Sequence, residues 1–207
     1  MSARGHRLVL WRHGQTVWNI EGRFQGYVDV PLDDTGLAQA VRAARLLAAL
    51  RPGAIVSSDL ARAARTAEAL GDVAGLPVAL DIDLRERSMG SWEGLTRDEV
   101  AGGYPEDWAV REPSDGETYG EVANRVVAAV GRGLEKIEPG GTLVVVSHGQ
   151  SLRLGISHLL GLPRELWRCL GPLANCSWSM LGEGSSGWRL LEHNAGTLPE
   201  PVHGDDR

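Results

Sequence analysis

The sequence predicts an α/β fold, a three-layer α/β/α sandwich whose sheet is mostly parallel with an antiparallel edge strand. Short apolar runs of β-type residues alternate with longer segments of helical periodicity, a pattern typical of a parallel sheet covered on both faces. Two of these runs, at 8–11 and 142–147, are each followed closely by the dipeptide His-Gly. Near the C terminus, two alternating segments flank Gly-Ser-Ser-Gly, which indicates a terminal hairpin.

The first half of the chain is predicted to alternate three strands with two helices. Asp33 and the two residues after it offer N-cap oxygens to the first helix, and a Pro-Gly pair ends it. Ser58 and Asp59 offer the cap of the second helix. A loop at 16–31, rich in Gly, Asn, Asp and Gln, separates the first strand from the first helix. The predicted bounds are a strand at 8–11, a helix from 34 to about 50, a strand at 54–57, a helix at 60–73 and a strand at 76–80.

The second half begins with a polar loop at 81–93 and a short helix that opens at Thr96. Residues 102–117 contain prolines and glycines and are predicted to be irregular. No repeat, linker or shift in composition divides the chain, so residues 1–207 are predicted to form one domain with a flexible tail after about residue 197. The remaining predicted segments are a helix at 119–137, a strand at 142–147, a helix at 151–160, a helical or irregular stretch at 162–176, and hairpin strands at 177–181 and 188–191.

Composition excludes several classes of protein. A formal net charge of −6 argues against a general nucleic-acid or anionic-membrane surface. No apolar stretch is long enough to span a membrane and no signal region follows the first residues, so we predict a cytoplasmic protein. Cys169 and Cys176 lack the spacing of a zinc site. Because Lys136 is the only lysine, an anion site in this chain must use arginine, histidine and backbone amides.

The two His-Gly strand ends are the strongest functional signal. Arg12 and His13 end the first strand, and His148 with Gly149 ends the strand at 142–147. Ligands of open α/β sheets bind at the carboxyl ends of the strands, so two imidazoles are expected at one edge of the sheet. One histidine at a strand end is more often an ordinary loop residue. The matched pair, one member preceded by arginine, favours a functional site.

Three further segments contain polar residues that gain meaning only beside this pair. Arg62 lies in the first helical turn after a strand, near free amides that favour anions, although alone it would be a solvated helix residue. Glu86 follows the third strand and by itself is an ordinary loop acid. The loop at 16–31 makes four more polar or glycine positions available: Asn19, Arg23, Gln25 and Gly26.

The order and spacing of these segments resemble the histidine phosphatase superfamily, the fold group of cofactor-dependent phosphoglycerate mutase. The resemblance spans about residues 8–191, and five motifs in the correct order make it specific. The motifs are Arg12-His13-Gly14-x-Thr16-x-x-Asn19, Leu32 through Gly36, Ser58-Asp59-Leu60-x-Arg62-Ala63-x-x-Thr66-Ala67, Leu84-x-Glu86 with Gly90 and Trp92-Glu93-Gly94, and Ser147-His148-Gly149.

The resemblance implies a mechanism and a set of site residues. His13 would attack phosphorus and become a phosphohistidine, with the Gly14 carbonyl holding its other ring nitrogen. Glu86 would be the general acid and then the general base. Residues that would bind the phosphoryl oxygens are Arg12, Arg62, His148 and Asn19, and further phosphate-binding candidates are Gln25, Gly26 and Gly149. No metal or other cofactor is expected, because the arginines supply the charge that Mg²⁺ would bring.

The partner implied is a small-molecule phosphate monoester, and water is favoured as the acceptor over a second hydroxyl. Only 61 residues separate Glu86 from His148, which is short for a mutase, and Glu86-Arg87-Ser88-Met89-Gly90 replaces the mutase-like Glu-Arg-His-Tyr-Gly. A cofactor-dependent phosphoglycerate mutase remains the alternative. A non-catalytic phosphate-binding module is less favoured, since such relatives usually lose the nucleophile or the acid and both are present here.

Substrate and assembly are predicted from the last third of the chain. The stretch at 170–178 with Trp188-Arg-Leu resembles the C-terminal part of glucosyl-3-phosphoglycerate phosphatases, which points to a phosphorylated sugar acid or small sugar phosphate. Asn175 would be either a substrate contact or a turn residue. Short C-terminal strands could supply a homodimer contact. Four tryptophans either line the pocket or fill the core: Trp92, Trp108, Trp167 and Trp178.

Overall fold

A six-stranded mixed sheet runs through the middle of the protein. The computed structural model describes residues 5–196, and the predicted flexibility of the tail lies outside the described residues. The strands are β1 (Arg7–Arg12), β2 (Ala54–Ser57), β3 (Val78–Leu80), β4 (Thr142–Ser147), β5 (Trp178–Gly184) and β6 (Gly187–Ala195). Their spatial order is β3-β2-β4-β1-β5-β6, with the first four parallel and the terminal hairpin antiparallel. The predicted sheet is confirmed.

Helices cover both faces of this sheet, as predicted. They are α1 (Val17–Glu21), α2 (Asp34–Ala48), α3 (Ala61–Ala74), α4 (Arg97–Gly103), α5 (Pro105–Val110), α6 (Tyr119–Leu134) and α7 (Gly149–Leu159). Successive side chains of a strand point to opposite faces. Leu8 and Val145 therefore pack in one core cluster with α6 and α7, whereas Val9 and Val144 pack in the other with α2 and α3. Every residue of β4 is buried, as expected of a strand covered on both faces.

The pairing of β1 with β4 positions the two His-Gly dipeptides. The strands are parallel, with Arg12 opposite Ser147. The next residues are His13 and His148, so both histidines leave the sheet at the same level. The backbone amide of His13 also donates to the Ser147 carbonyl at 3.0 Å. The expectation that both imidazoles lie at one edge of the sheet is met.

Two helices lie in stretches that were predicted to lack them. The loop at 16–31 contains α1, which a Thr16–Asn19 capping box begins and Gly22 in the left-handed conformation ends. The stretch at 102–117, predicted to be irregular, contains α5. Pro105 is its first residue, where proline costs no hydrogen bond, so this proline starts a helix instead of breaking one.

The predicted cap of α3 is wrong. Leu60 is the N-cap residue and makes no side-chain cap hydrogen bond, and the amide of Ala61 donates to Asp29 Oδ1 at 2.8 Å instead. Ser58 Oγ accepts only a long bond from the Leu60 amide, at 3.3 Å, and Asp59 pairs with an arginine outside the helix. The predicted bounds also overran α6 and fell short in both hairpin strands, since helix and strand ends are set by tertiary contacts.

No helix within residues 5–196 combines the length and the apolar content needed to cross a bilayer.

The start of α2 packs directly against the loop that follows β1. Asp33 caps the helix by accepting from the Gly36 amide at 2.7 Å. A Cβ added at Gly36 would lie 2.2 Å from the carbonyl oxygen of Gln15, and one added at Gly14 would lie 2.5 Å from the carbonyl oxygen of Gly36. Backbone therefore touches backbone here, and neither side can move without displacing the turn after His13.

We expect Gly36→Ala to lower the free energy of unfolding by about 1–3 kcal/mol, because the new methyl group overlaps backbone that cannot turn aside. Urea denaturation measures it. The matched control is Gly131→Ala in α6, where an added Cβ meets nothing within 4 Å and alanine favours the helix. That variant should be as stable as the wild type or more stable, by up to about 1 kcal/mol. Equal midpoints for Gly36→Ala and the wild type would contradict the close backbone contact.

Candidate active site

His13 is buried at the end of β1 with one ring nitrogen anchored to the backbone. Its side chain is 2% exposed, and Nδ1 lies 2.7 Å from the carbonyl oxygen of Gly14. A carbonyl oxygen can only accept, so Nδ1 bears the proton and Nε2 keeps its lone pair. A neutral imidazole with a fixed tautomer and a free Nε2 is a competent nucleophile.

The surroundings of His13 keep its ring neutral. Burial lowers its pKa well below the ordinary value, and the positive charges of Arg62 and Arg12 lower it further. The hydrogen bond to Gly14 opposes this shift and is the smaller effect. The ring is therefore uncharged at neutral pH, as a nucleophile must be.

His148 packs beside His13, with the ring centroids 5.1 Å apart, and its side chain is fully buried. Arg62 Nε donates to His148 Nδ1 at 3.2 Å, so that nitrogen must be unprotonated. Nε2 therefore bears the proton and donates to Ser58 Oγ at 2.9 Å. Burial, followed by the charge of Arg62, lowers the pKa of His148 well below its ordinary value. Both imidazoles are thus neutral.

Arg62 reaches the site from the first turn of α3 and is fully buried. Besides its bond to His148, the guanidinium donates to the Val28 carbonyl at 2.8 Å and to the Gly26 carbonyl at 2.9 Å. The loop at 16–31 thus reaches the site partly through its carbonyl groups, which fix the orientation of the guanidinium. The predicted residue Gly26 holds Arg62 in this way.

Arg12, 2% exposed, brings a second guanidinium to the same end of the sheet. Its Nη1 donates to the carbonyl of Leu173, which precedes β5, at 2.5 Å. A threonine in α3 joins the two halves of the site: Thr66 Oγ1 accepts from the Gly14 amide at 3.1 Å and donates to the Arg62 carbonyl at 2.7 Å. The turn that bears His13 is therefore tied to the helix that bears Arg62.

Glu86 is held at the N terminus of α7, the helix that His148 caps. Its Oε1 accepts from the Arg87 amide at 2.9 Å, the Ser151 amide at 3.0 Å and the Ser151 hydroxyl at 3.1 Å. Oε2 accepts from the Gln150 amide at 3.3 Å. These four bonds fix the position of the carboxyl group at the start of α7. The carboxyl group is 6% exposed and lies at the same end of the sheet as the two histidines.

The remaining predicted residues surround this centre. Asn19 Oδ1 accepts from the Thr16 amide at 3.0 Å, and Gln25 Oε1 accepts from the Thr16 hydroxyl at 3.1 Å. Gly149 is the buried first residue of α7. The structure therefore brings the predicted residues to one end of the sheet, and their individual roles stay predictions.

Asn175 acts as a positioning residue between two predicted site residues. Its Nδ2 donates to the His13 carbonyl at 3.3 Å and to Asn19 Oδ1 at 3.1 Å. The side chain is 4% exposed. Of the two sequence interpretations, the turn residue is confirmed, because Asn175 lies in a turn in which the Ser177 amide donates to the Ala174 carbonyl at 3.0 Å. Its side chain in addition contacts residues 162 and 156 positions away along the chain.

Glu117 and Arg125 form a support beneath the acid. Glu117 accepts two bonds of 2.8 Å from Arg125 and so fixes the orientation of that guanidinium. Arg125 then donates to the carbonyls of Arg85 at 2.7 Å and Glu86 at 2.9 Å. Sequence analysis missed Arg125, along with Ser58, Thr66 and Ser151. Ser58 and Thr66 lay within the family motif and carried a signal, whereas a lone arginine in the long helix did not.

A cavity of about 390 Å³ adjoins Glu86. Gln150 and Arg87, whose amides bind the Glu86 carboxylate, both line it. Trp92 and Trp108 lie in its wall and also pack in a third apolar cluster, with Trp92 only 1% exposed. Trp167 and Trp178 belong to the clusters on the two faces of the sheet. In the part of the chain that the structure describes, no group of three or more His, Cys, Asp or Glu side chains is arranged to hold a metal ion.

Comparison with known proteins agrees with this geometry. Glucosyl-3-phosphoglycerate phosphatase of Mycolicibacterium vanbaalenii is 40% identical over 93% of this chain and 96% of that protein. A probable phosphoglycerate mutase GpmB of Cronobacter sakazakii is 38% identical over 88% of this chain and 87% of that protein. The solved structure of a mycobacterial glucosyl-3-phosphoglycerate phosphatase with VO3 superposes with a TM-score of 0.86, at 40% identity, over 94% of this chain and 100% of that one.

The family model of the histidine phosphatase superfamily (branch 1) matches residues 8–196, which contain both histidines, both arginines and the glutamate of the site. That span covers most of the chain, and the resemblance inferred from the motifs is confirmed. The protein belongs to the histidine phosphatase superfamily.

Proposed function

We propose that this protein is a phosphoric monoester hydrolase that works without a metal, through a phosphohistidine on His13. The single observation that carries the mechanism is the neutral, buried ring of His13 with its Nδ1 proton fixed by Gly14. Phosphoryl transfer requires mainly positioning and stabilisation of charge on the phosphoryl oxygens. Two buried guanidiniums, those of Arg12 and Arg62, provide that charge.

In the first step, Nε2 of His13 attacks phosphorus and the bond from phosphorus to the ester oxygen breaks. Glu86, in its protonated form, gives its proton to the departing oxygen, so the alcohol leaves neutral. The carbonyl of Gly14, which accepts from Nδ1, stabilises the positive charge that develops on the ring. Arg12 and Arg62 hold the phosphoryl oxygens as planar forks, with His148 and Asn19 beside them.

In the second step, water attacks the phosphohistidine and the phosphorus–nitrogen bond breaks. The Glu86 carboxylate accepts a proton from that water, which restores its acid form, and His13 is released as the neutral imidazole. Inorganic phosphate then leaves. Gln25, Gly26 and Gly149 complete the surroundings of the phosphoryl group in this proposal, Gly26 by holding Arg62.

Hydrolysis is favoured over mutase chemistry. The phosphatase relatives match more of this chain than the probable mutase does, and at slightly higher identity. The short segment between Glu86 and His148 points the same way. We propose a small phosphorylated metabolite as the substrate, with glucosyl-3-phosphoglycerate the leading candidate because the relatives are named for it. Residues 1–207 would act as one catalytic domain. Cytoplasmic location and a homodimer stay predictions.

A substrate panel tests the reaction class. We expect inorganic phosphate to be released from several monoesters without added metal and without bisphosphoglycerate. Phosphate release is measured colorimetrically, and isomerisation of 3-phosphoglycerate is measured in the same samples. Isomerisation without phosphate release would overturn hydrolysis in favour of the mutase. Absence of both activities would favour a non-catalytic phosphate-binding module.

His13→Ala should lower kcat/KM by at least about a thousandfold, because the covalent route is lost. Brief reaction with a ³²P-labelled ester should leave acid-labile label on the wild type and none on this variant. His158→Ala, at an exposed histidine in the last turn of α7, is the matched control and should keep both activity and label. Label that survives in His13→Ala would place the nucleophile elsewhere.

Glu86→Gln should act differently on good and poor leaving groups. Loss of the general acid should lower kcat/KM for an alkyl phosphate by about 10²–10⁴. The loss should be much smaller for p-nitrophenyl phosphate, whose phenolate leaves without a proton. Steady-state kinetics on both esters measure the difference. Equal losses would mean that Glu86 maintains the structure of the site but transfers no proton to the leaving group.

The lowered pKa of His13 predicts the acid side of the pH profile. A nucleophile with the ordinary pKa of about 6.5 would be about 90% protonated at pH 5.5 and would lose about tenfold in kcat/KM. Because the folded site lowers that pKa, this loss should appear only at more acidic pH. The profile is corrected for the separately measured titration of the ester. An enzyme pKa at or above 6.5 on the acid limb would contradict a buried, neutral His13.

A further inference from the structure

The cavity beside Glu86 is strongly cationic although the chain is acidic. Five arginines line it, and no aspartate or glutamate is among its lining residues. The whole chain nevertheless has a formal net charge of −6. The five lining arginines come from separate segments of the chain. They are Arg87, Arg97, Arg111, Arg153 and Arg168. Like charges gathered from five places around one cavity repel each other unless an anion occupies it.

Four buried polar atoms of the lining residues have no hydrogen-bond partner among residues 5–196. They are Nη2 of Arg87, Nε of Arg153, Nε1 of Trp92 and Oε1 of Gln150. Arg87 is 1% exposed and Gln150 is 6% exposed, so solvent does not readily replace the missing partners. Buried polar groups are normally satisfied, and an unmet group in a cavity wall indicates a ligand that is recognised there.

The arginines of this wall are held in fixed orientations. The Arg87 guanidinium lies over the Tyr119 ring, 4.5 Å from its centroid, and its Nε donates to the Glu117 carbonyl at 2.6 Å. The Arg111 guanidinium lies 3.6 Å from the centroid of Trp108. A stacked guanidinium is a pre-oriented planar fork, and it loses little entropy when it binds a carboxylate or phosphate.

The electrostatics of Arg87 agree with a missing counter-charge. Burial lowers its pKa, and the nearby groups that oppose this shift, Tyr119, Glu112 and Glu86, do not cancel it. An anion in the cavity would stabilise the charged form. Among the other unmet atoms, Gln150 Oε1 is an acceptor and Trp92 Nε1 is a donor, so both would suit a substrate hydroxyl.

We infer that this cavity binds a second anionic group of the substrate, a carboxylate or phosphate on a hydroxylated body, through Arg87 and Arg153. The inference rests on the proposed phosphatase function and deepens it. The cavity shares Arg87 and Gln150 with the hydrogen bonds of Glu86, so a substrate that fills it places its ester bond beside the acid. The site therefore selects phosphate esters that bear a further negative charge.

Two matched pairs of esters test this inference. The first pair is 3-phosphoglycerate against glycerol 3-phosphate, which differ by a carboxylate. The second is glucose 1,6-bisphosphate against glucose 6-phosphate, which differ by a phosphate. We expect the wild type to prefer the more anionic member at least about tenfold in kcat/KM in one pair or both, and the pair with the larger preference identifies the anion.

Variants connect that preference to the named arginines. Arg153→Gln, at a half-buried position, should reduce the ratio of the two kcat/KM values about tenfold. Arg87→Gln should do the same, with its fold checked by urea denaturation. Arg65→Gln, in an exposed ion pair on α3, is the control and should leave the ratio and both activities unchanged.

The outcomes separate this inference from the proposed function. Wild-type ratios near one in both pairs would overturn the inference while leaving hydrolysis intact. So would variants of Arg87 and Arg153 that slow both members of each pair by the same factor. If the wild type released phosphate from none of the four esters, the proposed function itself would be overturned.

Discussion

The parallel register between β1 and β4 is the constraint from which the site follows. Arg12 lies opposite Ser147, so the chain leaves both strands at one level and places His13 and His148 with ring centroids 5.1 Å apart. A slip of one residue would turn the side chains of one strand to the other face and separate the two histidines. Alternation of Val and Leu between two different cores specifies this register, because either slip would bury the wrong set.

The positive charge of the site is limited because both imidazoles are neutral, and its arginines are oriented by backbone carbonyls. Two guanidiniums lie among two imidazoles that remain neutral because burial and the arginines themselves lower the pKa values of His13 and His148. The carboxyl group of Glu86 is held by amides at the start of α7 and by the Ser151 hydroxyl. The arginines are oriented by backbone carbonyls, of Val28 and Gly26 for one and Leu173 for the other. This arrangement leaves the cationic centre poised for an anion.

The net charge of the whole chain is negative, whereas the charged side chains that line the cavity are all positive. The net charge of −6 gave no hint of an arginine-lined cavity. Scarcity of lysine was the more useful clue, since it required any anion site to use arginine. The cavity meets that requirement with five arginines, and two of its lining residues, Arg87 and Gln150, donate backbone amides to Glu86.

Local pattern was enough for much of the fold. The strands at 54–57 and 142–147 have the predicted bounds, because short apolar runs flanked by turn residues leave few alternatives. α5 was missed because the same proline breaks a helix interior and begins a helix, and only the surrounding packing decides between them. The Ser58 cap failed for a related reason: the hydroxyl is closer to the ring of His148, which lies 90 residues away along the chain.

The sequence by itself determined the fold class, the family and the residue types of the site, since periodicity and ordered motifs are local properties of the chain. Only the tertiary structure decided which atom each residue offers. Gly14 fixes the tautomer of His13, Arg62 fixes that of His148, and Asn175 contacts two residues that lie more than 150 positions away along the chain. The unmet arginine nitrogens of the cavity belong to the same category. They lie where segments distant in sequence come into contact, and only that contact decides whether a buried atom has a hydrogen-bond partner.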